Sequence, residues 1–263
     1  MQSKVESLEN LLRTSAPVVI AYSGGVDSAY LLAVAHKTLG NRMLGVIADS
    51  PSLPRQSLAD ALELAKQIGA PVEVIRTDEM QDENYTGNPM NRCYFCKSEL
   101  FQKLNQLAAE RKFAAIAYGE NADDMQVVRP GRQAATEFSI VAPLRDAGMT
   151  KAEIREQSRA LGLPTADAPA QPCLSSRIPH GTPVTTTALG MIEKGEALVR
   201  SLGFRVFRVR HIVEGEGRYL ARVQISPEEM GRLEPLNGSL VAGLTALGYQ
   251  SVEIDPAGYR SPA

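Results

Sequence analysis

Apolar positions along the chain fall into two rhythms, and the switch between them marks the elements. Residues 4–13 alternate charged side chains with Leu8, Leu11 and Leu12, a helical spacing. Val18-Val19-Ile20-Ala21-Tyr22 is then a short, unbroken β-branched run, the pattern of a strand buried on both faces. A helix over 29–39 ends at Gly40, a strand covers 43–48, and a helix over 57–68 stops at Gly69. A third strand covers 72–76. A long loop, 78–92, carries Gly87, Asn88 and Pro89. A helix over 96–111 and a strand over 114–118 follow. Thr150 and Glu153 have capping-box spacing, so they open another helix, over 150–161, ended at Gly162.

Strand and helix alternating through short connections predict a mostly parallel, doubly wound sheet covered on both faces. Ligands of such sheets bind at the carboxyl ends of the strands, near a switch in strand order. Residues 164–184 break the rhythm: Pro164, Pro169, Pro172, Pro179 and Pro183 stand among small polar residues, as in an ordered loop or linker. Beyond it the pattern predicts helix 186–202, strands 204–211 and 219–225, helix 227–247 and strand 251–255. That is a smaller α+β domain. The division expected is therefore α/β domain 1–170 and C-terminal domain 171–263, the latter for substrate binding or oligomerisation.

The whole-chain composition changes this picture little. With 263 residues, 44% hydrophobic and 22% charged, the chain is long enough for a sizeable core. No apolar run reaches the ~20 residues that span a bilayer, and the N-terminus does not read as a signal peptide, so a cytoplasmic location is the default expectation. A net charge of −2 argues against a broad nucleic-acid surface. Three cysteines are an odd number for a disulfide framework, which a reducing compartment disfavours in any case.

The chemistry begins after the first strand, at Ser23-Gly24-Gly25-Val26-Asp27-Ser28. Glycines let the backbone turn tightly and bring N–H groups close to an anion, and the following helix offers free N–H groups to phosphate. Ser23 and Ser28 add hydroxyl donors. Asp27 is a poor neighbour for phosphate unless Mg²⁺ lies between them, which implies a metal–nucleotide complex. The lysine of a Walker loop is missing.

The segment AYSGGVDSAYLL resembles the PP-loop ATP pyrophosphatase superfamily, whose members cleave ATP to AMP and pyrophosphate. The resemblance implies an adenine nucleotide α-hydrolase-like fold. Further motifs narrow it: Gly119-Glu120-Asn121-Ala122-Asp123-Asp124, then Arg129-Pro130-Gly131-Arg132 and Glu137; Asn91-Arg92-Cys93-Tyr94-Phe95-Cys96-Lys97; Pro172-Cys173-Leu174-Ser175-Ser176-Arg177-Ile178-Pro179; and Asp255-x-x-Gly258-Tyr259-Arg260-Ser261. With these, essentially the whole chain is similar to the LarE family. Between Asp124 and Arg129 it lacks a further acidic residue that the family pattern carries.

LarE proteins are ATP-dependent sulfur transferases that convert the carboxylates of pyridinium biscarboxylic acid mononucleotide to thiocarboxylates for the nickel-pincer nucleotide. The resemblance implies ATP contacts at Ser23, Gly24, Gly25, Asp27, Ser28, Gly119, Asn121 and Asp124, and substrate-phosphate contacts at Ser176, Arg177, Arg208 and Arg210. It also implies a homo-oligomer, a hexamer in pattern, which hands its product to a nickel-inserting protein and a nickel-pincer enzyme. Arg208 and Arg210, two apart in a strand, share a face; by alternation alone that face is equally a solvated one. Glu196 is open between facing that pocket and a subunit contact.

Two sulfur sources fit the family. In one branch a cysteine matching Cys173 gives up its own sulfur; in another, three cysteines hold a 4Fe–4S cluster with one iron open for sulfide. Cys93 and Cys96 with Cys173 fit the second, and loops at the carboxyl edge of the sheet are expected to carry them. Cys93-x-x-Cys96 also suits zinc, a redox pair or inert thiols. His36, His180 and His211 form no metal pattern. The competing functions are a PP-loop tRNA thiolase, an ammonia-using synthetase, and a sensor that binds ATP without chemistry.

Overall fold

The computed structural model describes residues 1–126, 130–169, 172–215 and 217–260. Arg129 and Ser261, each part of a motif singled out above, lie outside the described residues. The chain divides into two compact units, Met1–Glu79 with Asn91–Ala168, and Met80–Met90 with Pro169–Ala263.

The first unit runs α1 (Gln2–Ser15), β1 (Val18–Ala21), α2 (Val26–Leu39), β2 (Met43–Asp49), α3 (Arg55–Ile68) and β3 (Val72–Arg76). After the excursion into the second unit, whose segment 80–90 holds the short helix α4 (Glu83–Thr86), it resumes with α5 (Arg92–Glu110) and β4 (Ala115–Tyr118). It ends with α6 (Pro130–Glu137), α7 (Pro143–Asp146) and α8 (Lys151–Ala160). The four strands form a parallel sheet in the order β3-β2-β1-β4, with Val18 opposite both Met43 and Ala115. The parallel α/β fold read from the pattern is therefore the fold of this unit.

Alternation along β1 sends its side chains to two different cores. Val18 and Ile20 pack with Leu8, Leu12, Tyr30, Leu31 and Leu64 on one face of the sheet. Val19 and Ala21 pack with Phe101, Leu104 and Ile116 on the other. All four β1 residues are buried, as the unbroken apolar run requires. Successive strands step away from β1 in one direction, and β4 lies on its other side. The switch in strand order thus falls beside β1, and the crevice at its carboxyl end opens onto residues 22–28 and 119–124.

The second unit carries α9 (Thr186–Ser201), β5 (Phe207–Gly215), β6 (Arg218–Ile225), α10 (Asn237–Ala246) and β7 (Ser251–Ile254). β5 and β6 are antiparallel, and β7 joins β6 in parallel. Val199, Phe204, Val209, Val223, Leu240, Leu244 and Tyr249 form its core. Two sequence expectations are corrected here. The helix over 227–247 is broken: Met230–Arg232 and Glu234–Leu236 are 3₁₀ turns, and α10 starts only at Asn237. Pro235 lacks the N–H that a continuous helix needs there. The strand begins at Phe207 instead of 204, because the Arg205 and Val206 N–H groups donate to Glu229 Oε2 (3.0 and 3.1 Å) and not to a neighbouring strand.

Candidate active site

The phosphate loop is built by β1, which delivers the chain to the carboxyl edge, and by α2, which starts at once. Gly24 has φ of +75°, and a Cβ there would sit 2.7 Å from Ala61 Cβ, so only glycine fits. Gly25 caps α2 without a side chain, and the first helical bond is Ala29 N–H to Gly25 O at 2.8 Å. The N–H groups of the first turn therefore have no partner inside the helix. Ser28 Oγ accepts the Ser23 N–H (3.1 Å), donates to the Gly25 carbonyl (3.1 Å) and lies 3.0 Å from Ser23 Oγ. This closes the loop.

Opposite the loop, β4 ends at Tyr118 and the chain passes at van der Waals range. A Cβ on Gly119 would sit 2.8 Å from Ser28 N. Asn121 Oδ1 accepts the N–H groups of Asp123 (2.9 Å) and Asp124 (3.2 Å), and Asp124 Oδ2 accepts the Asn121 N–H (3.2 Å). Behind this turn Glu120 is 4% exposed and held between Arg132 Nε (2.7 Å) and Arg145 NH1 (2.8 Å). Burial pushes its carboxyl up, but Arg132 and its neighbours outweigh burial and hold it below the usual range. Arg132 also donates to the Asp124 carbonyl, which ties the turn to α6.

Asp27 sits in the first turn of α2. Its Oδ2 accepts from Lys151 Nζ at 2.6 Å, while Oδ1 is shielded from solvent and accepts no hydrogen bond. Burial raises its pKa; Lys151 and, more weakly, the nearby Asn121 side chain work the other way, and Asp124 adds to the rise. A carboxylate oxygen kept dry and unpartnered beside a second acid is costly unless a cation fills the place. Asp27 with Asp124 therefore suits a hard divalent ion such as Mg²⁺.

The eight residues expected at ATP thus gather on one edge of the first unit. Lys151 was missed. Its capping box marks where α8 begins, but nothing in the sequence says that the first residue of that helix meets Asp27 across 124 positions.

Cys93 and Cys96 lie in the first two turns of α5 and form no disulfide, Cys93 exposed and Cys96 partly buried. The helix expected from Cys96 thus begins four residues earlier, at Arg92, so neither cysteine lies on a loop, and their i,i+3 spacing puts both side chains on one helix face. Cys173 belongs to the second unit, where it precedes the 3₁₀ turn Leu174–Arg177. Within each unit, no three His, Cys, Asp or Glu side chains gather as a metal-binding group among the described residues.

Arg177 is 2% exposed and bonds Glu196 through Nε (2.8 Å) and NH2 (3.0 Å). Its NH1 reaches the carbonyls of Pro172 (2.6 Å) and Cys173 (3.1 Å) and Ser176 Oγ (2.9 Å). Arg210 donates to the Ser176 carbonyl (2.7 Å) and to Gln224 Oε1 (2.9 Å). Arg208 lies over the Tyr259 ring, 4.3 Å from its centre, and burial lowers its pKa. Ser176, Arg177 and Arg210 are therefore joined by hydrogen bonds, and Arg208 shares their unit. Glu196 also accepts the Val209 N–H (3.2 Å), so its carboxylate points inward, towards Arg177 and β5.

Comparison with known proteins agrees with this geometry. Residues 1–136 match the family model described as NAD synthase. An uncharacterized protein of Synechocystis is 40% identical over 99% of this chain and 96% of its own length. The pyridinium-3,5-bisthiocarboxylic acid mononucleotide synthase of Lactiplantibacillus plantarum is 29% identical over 99% of this chain and 93% of its own. An uncharacterized Methanocaldococcus jannaschii protein is 26% identical over 98% of both. No helix among the described residues is long and apolar enough to cross a membrane. The chain belongs to the NAD synthase family of ATP-dependent PP-loop enzymes, and along its whole length it is similar to the LarE protein of L. plantarum.

Proposed function

We propose that this enzyme is a sulfur transferase that adenylates the carboxylates of pyridinium biscarboxylic acid mononucleotide and replaces an oxygen of each with sulfur. The observation that carries the ATP half is Asp27, whose dry, unpartnered Oδ1 stands at the mouth of the phosphate loop beside Lys151 and Asp124. The substrate assignment rests on the printed name of the L. plantarum relative.

A carboxylate resists a sulfur nucleophile because its leaving group would be oxide. In the first step a substrate carboxylate oxygen bonds to the α-phosphorus of ATP, and the bond to the bridging oxygen breaks to release pyrophosphate. In the second, sulfur bonds to the acyl carbon and AMP leaves with the former carboxylate oxygen. Ser23, Ser28 and the first-turn N–H groups of α2 receive phosphate oxygens, and Gly119 leaves room for the nucleotide against the loop. Asn121 fixes the turn that presents Asp124. Held by Asp27 and Asp124, Mg²⁺ would neutralise the departing pyrophosphate. Lys151 supplies a second positive charge at the same place. Ser176, Arg208 and Arg210 meet the substrate phosphate; Arg177, whose nitrogens are committed to Glu196 and the loop, acts there through Ser176.

For the sulfur, Cys93, Cys96 and Cys173 are the donor set. By the family resemblance, these three cysteines would hold a 4Fe–4S cluster, which would supply an exchangeable sulfide. The product passes to a nickel-inserting protein and then a nickel-pincer enzyme, and the transferase works as a homo-oligomer of hexameric pattern. Anaerobic purification with iron and labile-sulfide analysis, repeated on Cys93→Ala, Cys96→Ala and Cys173→Ala, tests the source. Iron lost in each variant, with repeated turnover in the wild type, supports the cluster. A single turnover that needs only Cys173 and leaves the protein lighter by one H₂S makes Cys173 the sacrificial donor instead. Pyrophosphate release that ignores the pyridinium substrate overturns the reading, and tight binding of bulk tRNA points to a thiolase of RNA.

A further inference from the structure

We propose that the buried Arg177–Glu196 pair is a positioning device for sulfur transfer: it clamps the two peptide carbonyls that flank the Cys173 α-carbon and so fixes where that thiol is presented. The proposal deepens the sulfur-transfer reading and rests on it.

The Pro172 carbonyl belongs to the peptide plane before the Cys173 α-carbon, and the Cys173 carbonyl to the plane after it. Arg177 NH1 donates to both, at 2.6 and 3.1 Å. With both planes held, the Cα–Cβ direction of Cys173 is set, and only its χ1 rotation remains. The Cys173 carbonyl also accepts the Ser176 N–H (3.0 Å).

The clamp is itself anchored. The two nitrogens of Arg177 that face Glu196 form a fork-to-fork pair, and Glu196 Oε1 also accepts the Val209 N–H of β5. Glu196 rises from α9, so the cysteine loop is tied through one guanidinium to the helix–sheet core of its unit. On its other side, Ser175 is fully buried with its hydroxyl 2.7 Å from Tyr85 Oη. These contacts together hold the stretch 172–177 that carries Cys173.

An exposed arginine waiting for a phosphate would look different. Arg177 is buried, and Nε, NH1 and NH2 each have a protein partner.

The test uses the full chain with Cys93→Ala and Cys96→Ala, so that Cys173 is the one remaining cysteine. It is treated with iodoacetamide without ATP, iron or substrate, and mass spectrometry reads the rate. Glu196→Gln breaks the pair; because an uncompensated buried arginine can unfold the unit, the double variant Arg177→Met/Glu196→Leu replaces both partners with apolar groups. In both, alkylation of Cys173 is expected to rise about fivefold or more, as for a loop released to local opening, with amide protection of β5 and β6 retained. Glu196→Asp, which keeps the charge, is expected to restore a rate near that of the parent. In the protein with all three cysteines, kcat for sulfur transfer falls while KM for the pyridinium substrate changes little. Alkylation unchanged in a folded double variant overturns the proposal, as does faster alkylation that accompanies loss of β5–β6 protection. A rise in KM at constant kcat makes Arg177 a phosphate ligand instead. Should the wild type transfer no sulfur at all, the proposed function falls and the alkylation result still decides the clamp.

Discussion

At the scale of single residues, the proposed ATP chemistry turns on Asp27 and its ion pair with Lys151. Asp27→Asn keeps the shape of the side chain and removes the charge that a divalent ion needs. Pyrophosphate release should fall by ~10²-fold or more, the usual cost of deleting one preorganised electrostatic contact, with little change in fold by circular dichroism. The pH dependence follows from the same group. Burial raises the Asp27 pKa, so Mg²⁺-dependent release should climb with pH along a limb above the ordinary carboxylate range. Lys151→Gln removes a charge that favours the ionised form, and the limb should move to higher pH; a limb that stays put assigns it to another group. Without metal, a raised folded-state pKa gives stability that is present below the unfolded value and lost as pH rises. The loop around Asp27 was legible in the sequence because its parts are contiguous. Lys151 was not, since its meeting with Asp27 depends on where α8 packs.

At the scale of elements, the rhythm of apolar residues found every strand of both sheets, and local chemistry moved the ends. α8 shows the agreement at its best. The Thr150 Oγ1 and Glu153 carboxylate cap each other's N–H groups, and Lys4 of α1 bonds both Glu153 oxygens at 2.8 Å. Lys4 and then the Thr150 N–H pull the Glu153 pKa down to about 2. A depressed carboxyl contributes stability above its unfolded pKa, and that contribution fades as pH falls towards about 2. Thr150→Ala should therefore cost about 1 kcal/mol at neutral pH. Glu153→Gln should lose stability at pH 7 and converge on the wild type in strong acid, as urea titrations at the two pH values would read. Gly119 tests the contact between β4 and α2. In Gly119→Ala the new methyl meets the Ser28 N–H at 2.8 Å, an overpacking of about 1–3 kcal/mol. Because the strain falls on the phosphate loop, ATP affinity by calorimetry should drop further than the melting temperature suggests. Where the pattern misled, a competing local interaction won: Pro235 split the predicted helix, and Glu229 took the N–H groups of 205 and 206. The helical start of α5 at Arg92 was signalled by Asn91, a favoured N-cap residue, although its side chain makes no cap hydrogen bond.

At the scale of the whole molecule, the chain leaves the first unit at Glu79 and returns to it at Asn91. The loop expected over 78–92 is a working part of the second unit, and Asn88 shows why. Its side chain is fully buried, and its amide donates to the carbonyls of Pro179 and Thr182, both at 2.8 Å. The backbone adds Gly181 N–H to Asn88 O (3.0 Å) and Val184 N–H to Thr86 O (2.8 Å). Asn88 also has φ of +55°, a conformation that asparagine tolerates better than most residues. Sequence showed the turn-forming composition of this stretch; it could not show that the partners lie some ninety residues later, because nothing local encodes that pairing. Asn88→Ala should cost about 2–4 kcal/mol, from two part-buried carbonyls losing a donor and from the unfavourable φ. Asn88→Gly relieves the φ but not the carbonyls, so it should fall between alanine and wild type. Hydrogen exchange reads the outcome by region: protection should drop in 80–90 and 172–184 and persist in β1, β2 and β4. If β1 and β2 lose protection equally, the segment is a strut of the first unit, and its assignment to the second is wrong.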